Sequence, residues 1–248
     1  MLKKKEDTFI IAEVGQNHQG KLDIAKNYIK VFSSAGANAI KFQIRSNKHL
    51  FSEEAYNNPY QSENSFGKTY GQHREKLELT FKDFKILKKE CIKHKVKFII
   101  TPFDEISLNL VKKLNVDAIK IASFDIGNLP FLNKITKLNK PLIISIGGAK
   151  EKQIRESIKV LKKNKKQIII LHCVSEYPCE FNRLGLKNII KLKKNYKDFV
   201  IGSSDHFNGI LSGPIAYLMG ARVFEILFHY LILYMVLDQA YILLFLYL

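Results

Sequence analysis

Eight short runs of apolar and β-branched residues recur along this chain, and stretches of helical periodicity fall between them. The runs are 9–13, 39–43, 98–101, 118–121, 142–145, 168–172, 199–202 and 222–226. Strands that alternate with amphipathic helices build a parallel sheet whose faces the helices cover. Eight such units is the number that closes a (β/α)8 TIM barrel, an α/β fold. A doubly wound open sheet is the alternative arrangement of the same units. The helical stretches carry their own signals: Leu22, Ala25, Ile29 and Phe32 recur at helical spacing, and Gly36 follows where a C′ residue belongs. A chain of 248 residues, 46% hydrophobic, can bury the core of one barrel or of two small domains. We assign the barrel to residues 1–225.

Two segments break the rhythm. Residues 46–80 are polar and irregular, with Asn57-Asn58-Pro59 and Phe66-Gly67-Lys68-Thr69-Tyr70-Gly71. A loop this long in a compact domain is usually functional or disordered. It follows the second strand, on the catalytic face of a barrel, and its aromatics and glycines favour a substrate lid. Residues 226–248 are nearly all apolar, interrupted by His229, Asp238 and Gln239, and no Lys or Arg follows Arg222 in a chain that carries 40. Length and apolarity nominate a membrane span. Asp238 sits mid-segment, however, where a charge costs roughly 2.5–3.5 kcal/mol, and no basic flank anchors the end. We therefore expect no membrane protein but an atypical apolar tail and an abnormal last βα unit, from an altered reading frame or gene end. An intact frame on resequencing, or membrane localisation of a fused tail, would count against this.

The formal net charge is +17. Lysines such as Lys82, Lys85, Lys88 and Lys89, or Lys159, Lys162 and Lys163, spread over helix faces, with no arginine-rich arm and no basic stretch interleaved with aromatics. Solvated helix faces are expected, not nucleic-acid binding, and the net field would favour a small anionic substrate. Residues 1–7 form only a charged lead-in, without the apolar core of an export signal. Three cysteines (Cys91, Cys173 and Cys179) are too few and too scattered for a disulfide framework or zinc finger, which fits a cytoplasmic protein.

Two strands repeat Ala-Ile-Lys, at residues 39–41 and 118–120. Lysine is depleted in strands, and a buried ammonium needs an anionic partner. Strand alternation puts Lys41 and Gln43 on one face and Ile40 and Phe42 on the other. If the isoleucines pack against helices, Lys41 and Lys120 point into the barrel and suit a ligand with two anionic groups. Structural salt bridges with Glu13 or Asp125 are the competing explanation. Glu13, Thr101, Ser123, Asp125, Ser145, His172, Ser204, Asp205 and His206 fall at the same strand ends, as an active-site ring would. His206 could be a metal ligand, a general base or a capping histidine, and His18 is equally open. The chain has no P-loop, no dinucleotide glycine pattern and no zinc motif. No activating pair is evident for Cys173 or Cys179.

Several segments together resemble the sialic acid (N-acetylneuraminate) synthase family: residues 11–20 (Ile-Ala-Glu-Val-Gly-Gln-Asn-His-Gln-Gly), Ile40-Lys41-Phe42-Gln43, Thr101-Pro102-Phe103-Asp104 and Ile119-Lys120-Ile121-Ala122-Ser123. Leu171-His172-Cys173-Val174-Ser175-Glu176-Tyr177-Pro178 and Gly202-Ser203-Ser204-Asp205-His206 follow in the same order. The lid sequence Gly67-Lys68-Thr69-Tyr70-Gly71-Gln72-His73 is similar to the branch that includes animal-type N-acylneuraminate(-9-phosphate) synthases. The resemblance implies condensation of phosphoenolpyruvate with N-acetylmannosamine, its 6-phosphate or a related amino sugar. Phosphoenolpyruvate would be held at Lys41, Thr101, Lys120, Ser123, Ser145 and Ser204. The sugar would be met at Glu13, Gln43, Asp125 and Tyr177, with Ser175 also in the substrate set. Glu13, Asp125 and His206 would be catalytic, and a divalent ion (Mn²⁺ or Mg²⁺) would polarise the aldehyde.

The chain departs from that pattern in three places. Ser145-Ile146-Gly147-Gly148 replaces the usual Ser-Thr-Gly-Met or Ser-Ser-Gly-Met. Of two metal histidines, one matches His206, while the other belongs where this chain has Leu227; His229 lies two positions further on. The family's antifreeze-like C-terminal domain, which completes the site in a swapped homodimer, is missing, so dimerisation by that route is not expected. An inactive relative that keeps the phosphoenolpyruvate site, or a basic barrel that binds nucleic acid, are the alternatives to an active synthase.

Overall fold

In the computed structural model, which describes residues 7–164 and 166–227, eight parallel strands close into one barrel in chain order. They are β1 (Phe9–Gly15), β2 (Ala39–Ile44), β3 (Lys97–Pro102), β4 (Ala118–Ile121), β5 (Leu142–Ser145), β6 (Ile168–Cys173), β7 (Val200–Asp205) and β8 (Val223–Leu227). Closure rests on β1 pairing with β2 on one side and β8 on the other, from Phe9 opposite Val223 to Glu13 opposite Leu227. No edge is left open, which overturns the doubly wound alternative. Ile226 and Leu227, assigned above to the tail, belong to β8. The rest of that tail, with His229, Asp238 and Gln239, lies outside the described residues. Among the described residues, no helix is long and apolar enough to cross a membrane.

The helices are α1 (Leu22–Ser34), α2 (Asn47–Leu50), α3 (Glu53–Asn57), α4 (Tyr70–Lys76), α5 (Phe81–Lys93), α6 (Glu105–Leu114), α7 (Leu129–Thr136), α8 (Glu151–Leu161), α9 (Lys187–Asn195) and α10 (Ser212–Leu218). Their starts follow side-chain chemistry. Thr80 and Asp83 form a reciprocal capping box on α5, and Asp104 accepts the Ser107 N–H at 2.8 Å to cap α6. On α1, Ala25, Ile29 and Phe32 are buried, and Gly36 takes φ +90° just past the C-terminus, a conformation that costs a glycine little. Lys82, Lys85, Lys89, Lys159, Lys162 and Lys163 are exposed. Lys88 instead folds back, donating to the Leu114 and Asn115 carbonyls at the end of α6.

Residues 46–80 carry more structure than their sequence suggests. They contain α2, α3 and α4, and an antiparallel bridge joins Pro59 to Thr69. Tyr60, Phe66 and Tyr70 gather around His73, and the Thr69 hydroxyl accepts the Gln72 N–H at 3.3 Å. Helices of one or two turns are held by such tertiary contacts, not by propensity, so they leave no periodicity to find.

Strand alternation sorts side chains into two cores. The outward set (Ile40, Phe42, Phe98, Ile100 and others) packs under the helices. The inward set, Phe9, Ile11, Ala39, Ile99, Ala118, Ile143, Ile169, Leu171 and Val223, fills the N-terminal half of the barrel. Gly202 belongs among them because a Cβ there would lie 2.1 Å from the Val223 carbonyl oxygen and 2.5 Å from Leu171 Cδ2.

Candidate active site

Two residues further along seven of the eight strands, the inward side chains change character. Ile11 gives way to Glu13, Ala39 to Lys41 and then Gln43, and Ile99 to Thr101. Ala118 gives way to Lys120, Ile143 to Ser145, Gly202 to Ser204 and Val223 to Glu225. Above this polar layer opens a cavity of about 870 Å³. Its wall includes Glu13, Lys41, Gln43, Thr101, Lys120, Ser123, Ser145, Ser175, Tyr177, Ser204 and His206.

The two lysines converge. Lys41 and Lys120 are each 3% exposed and face the same Glu225 carboxylate, at 3.9 and 3.6 Å. Lys41 also pairs with Glu13 and donates to Thr101 Oγ1 at 3.0 Å, while Ser204 Oγ donates to Glu225 Oε1 at 3.3 Å. The salt-bridge alternative is therefore partly realised: Lys41 does meet Glu13, but Lys120 meets Glu225, not Asp125. Burial raises the Glu13 carboxyl above its usual range against the pull of Lys41. Burial acts the same way on Glu225, but Lys120 and Lys41 outweigh it and hold that carboxyl low. Burial lowers Lys120, which Glu225 opposes. Ser145 Oγ has no hydrogen-bond partner among the described residues.

A second polar chain steadies Glu13. Gln43 Nε2 donates to Glu13 Oε1 at 2.7 Å, and Arg45 donates to Gln43 Oε1. Arg45 is tied in turn to Glu78 at 3.6 Å and lies 4.3 Å over the Phe103 ring. Glu78 also accepts from Gln16 Nε2 at 2.7 Å, and burial lifts its pKa to about 7.

Other expected residues fall differently. Asp125 is buried but is not on the cavity wall. In the 3₁₀ turn Ser123–Asp125, Ser123 and Phe124 reach the wall and Asp125 does not, and Asp125 Oδ2 has no hydrogen-bond partner among the described residues. Burial lifts its pKa to about 7. His172 is buried with Nε2 2.7 Å from the Leu184 carbonyl, a packing role. His18 accepts the Gly20 N–H at 3.1 Å, and burial lowers its pKa to about 4, so it is a neutral latch of the first βα loop. Ser123 Oγ accepts the Gly147 N–H at 3.0 Å, joining the turn after β4 to the altered segment after β5.

His206 stands on the wall with Nδ1 2.8 Å from the Val174 carbonyl and its ring 3.8 Å from that of Tyr177. Of the two histidines that the resemblance calls for, the described wall supplies His206 alone. No group of three or more His, Cys, Asp or Glu side chains able to hold a metal occurs among the described residues. Leu227, on the wall where the resemblance calls for a second histidine, offers no lone pair.

The NeuB family profile matches residues 28–232. This chain belongs to the NeuB family. It is 40% identical over 222 residues to the N,N'-diacetyllegionaminic acid synthase of Campylobacter jejuni, covering 88% of this chain and 66% of that protein. It is 35% identical over 217 residues to the human N-acetylneuraminate-9-phosphate synthase, covering 88% and 60%. Among solved structures it resembles the N-acetylneuraminic acid (sialic acid) synthetase of Leptospira borgpetersenii in complex with citrate, with TM-score 0.80 and 33% identity over 92% of this chain and 77% of that one. The chain thus spans 60–66% of the length of the first two relatives.

The sequence reading of this NeuB-family barrel gave no site role to Glu225, Tyr70 or Arg74, all of which lie on the wall. Glu225 carries the same signal as the lysines, a charge at an inward strand position. Tyr70 and Arg74 reach the wall from α4, whose position depends on tertiary contacts.

Proposed function

We propose that this barrel condenses phosphoenolpyruvate with the open-chain aldehyde of an N-acetylated amino sugar (N-acetylmannosamine, its 6-phosphate or a related sugar), giving a sialic acid-type nonulosonic acid and inorganic phosphate. The convergence of Lys41 and Lys120 on one buried carboxylate is the observation that carries this reading. Two ammonium groups fixed by Glu225 suit a ligand that bears both a phosphate and a carboxylate, with hydroxyls from Thr101, Ser123, Ser145 and Ser204 as further donors. Glu13, Gln43 and Tyr177 face the remaining space and suit the sugar.

In the reaction, the terminal carbon of the enol attacks the aldehyde carbon and forms the C–C bond. The aldehyde oxygen takes a proton. Glu13, whose carboxyl burial raises above its usual range, is the candidate donor. Water then adds to the central carbon of the former enol and gives up a proton to the Glu13 carboxylate. Collapse of that adduct breaks the carbon–oxygen bond to phosphate. The family resemblance implies Mn²⁺ or Mg²⁺, but with His206 and Leu227 on the wall and no second histidine among the described residues there, no step is assigned to a metal. Leu227→His is expected to tighten Mn²⁺ binding by calorimetry; unchanged affinity would remove position 227 from the metal assignment. Buried free Cys91, Cys173 and Cys179 are consistent with a reducing cytoplasm.

A coupled phosphate-release assay with Mn²⁺ tests the proposal. Release that requires both phosphoenolpyruvate and the amino sugar is expected. Absence of phosphoenolpyruvate binding at millimolar concentration would overturn it. Leu227 favours a second reading, a barrel that binds phosphoenolpyruvate without turnover, and binding without release would select that one.

A further inference from the structure

We infer that Arg74 forms a second anion site in the lid-side wall of the cavity, one that selects an amino sugar carrying a phosphoryl group over the free sugar. The inference rests on the condensation reading above and names the substrate class within it. Three cationic side chains line the cavity: Lys41, Lys120 and Arg74. Lys41 pairs with Glu13, and both lysines face the Glu225 carboxylate. Nearby Arg45 is compensated by Glu78. Arg74 has no carboxylate within 4.0 Å among the described residues, and its Nε is buried without a hydrogen-bond partner. A buried N–H donor on a cation is costly to leave unpaired, so a site that holds one in this state is shaped for a group supplied from outside.

The position is built, not incidental. Arg74 sits in α4, whose start Thr69 caps, and its guanidinium lies 5.9 Å over the Tyr70 ring. Tyr70 itself is packed by Phe51 and Tyr60. These contacts hold the side chain on the wall contributed by the loop after β2, while the lysines belong to the barrel floor. A cavity of about 870 Å³ has room for two small ligands. A planar guanidinium matches phosphate oxygens in a bidentate geometry, whereas a sugar hydroxyl at the same place would leave its charge uncompensated.

Calorimetry on the full chain saturated with phosphoenolpyruvate, titrated with N-acetylmannosamine 6-phosphate and with N-acetylmannosamine, tests this. The phosphorylated sugar is expected to bind at least about tenfold more tightly. Arg74→Ala should erase that preference and leave phosphoenolpyruvate affinity and melting temperature unchanged, while Arg74→Lys should keep part of it. Equal affinity of the native chain for the two sugars, or an equal loss of both in Arg74→Ala, would overturn the inference. The same titrations without phosphoenolpyruvate keep the two proposals apart. Failure of phosphoenolpyruvate to bind defeats the condensation reading, and the Arg74 dependence of sugar-phosphate binding alone then decides this one. If inorganic phosphate abolishes the difference between native chain and Arg74→Ala, the site recognises the phosphoryl group and not the sugar ring.

Discussion

The lower and upper halves of the barrel interior are made by the same eight strands, yet they obey different rules. In the lower half, Ile11, Ile99, Ile143, Ile169, Leu171 and Val223 meet one another with no polar atom to satisfy. About 7 Å further along each strand, at two residues of rise, Glu13, Lys41, Lys120 and Glu225 put four ionisable groups into an equally buried layer. Burial of charge is a poor route to stability, because desolvation offsets much of the mutual attraction. The lower layer is explained by packing, whereas the upper one needs a ligand to make sense of its composition. Fold and chemistry are thus separated along the barrel axis and share a backbone.

Substitutions in the two layers should separate accordingly. The largest effect is expected from Lys120→Met, which removes one of the two ammonium groups. Phosphoenolpyruvate affinity should fall at least about 100-fold by calorimetry. The fold should survive, since Lys41 still faces Glu225 and that carboxyl can take up a proton. Unchanged affinity would break the division and leave the quartet as a structural ion-pair cluster. Leu171→Ala is the complementary change. It should cost about 2–5 kcal/mol in urea unfolding, because Leu171 is fully buried beneath the polar layer beside Gly202. Its effect on ligand affinity should stay below about tenfold. A collapse of affinity at full stability would mean that the lower layer shapes the site directly.

The division was half legible in the sequence. Period-2 alternation is local, so it correctly turned Lys41 and Gln43 away from Ile40 and Phe42 and found eight strands with ends within three residues of those observed. Which inward groups meet is a product of closure. Lys120 on β4 and Glu225 on β8 lie 105 residues apart and touch only because the sheet returns on itself (225 − 120). That pairing has no sequence signal, and the salt-bridge alternative accordingly named Glu13 and Asp125 but not Glu225. The lid was legible as a segment but not as helices, for the opposite reason: α2, α3 and α4 are too short to show periodicity, so the ordered wall that carries Tyr70 and Arg74 looked like loop.

Asp125 marks where the upper layer ends, and its titration shows on which side of the boundary it stands. Burial lifts its pKa from the ordinary 3.8 to about 7, opposed by Asn128 and Lys120. The folded state therefore holds the proton more tightly than the unfolded chain does. The stability this contributes is complete below about pH 4 and is lost as pH rises through about 7. Asp125→Asn carries no titrating group, so its stability should fall less than that of the native chain between pH 4.5 and pH 8. The difference should be on the order of 2 kcal/mol, read from urea unfolding at the two values. Parallel pH profiles would mean that the carboxyl ionises freely in solvent. If the profiles diverge as expected while phosphoenolpyruvate affinity holds, Asp125 is a proton store behind the wall. If phosphate release is lost as well, the turn after β4 must swing this carboxyl toward the reacting atoms, and the polar layer extends one residue deeper than the cavity wall alone indicates.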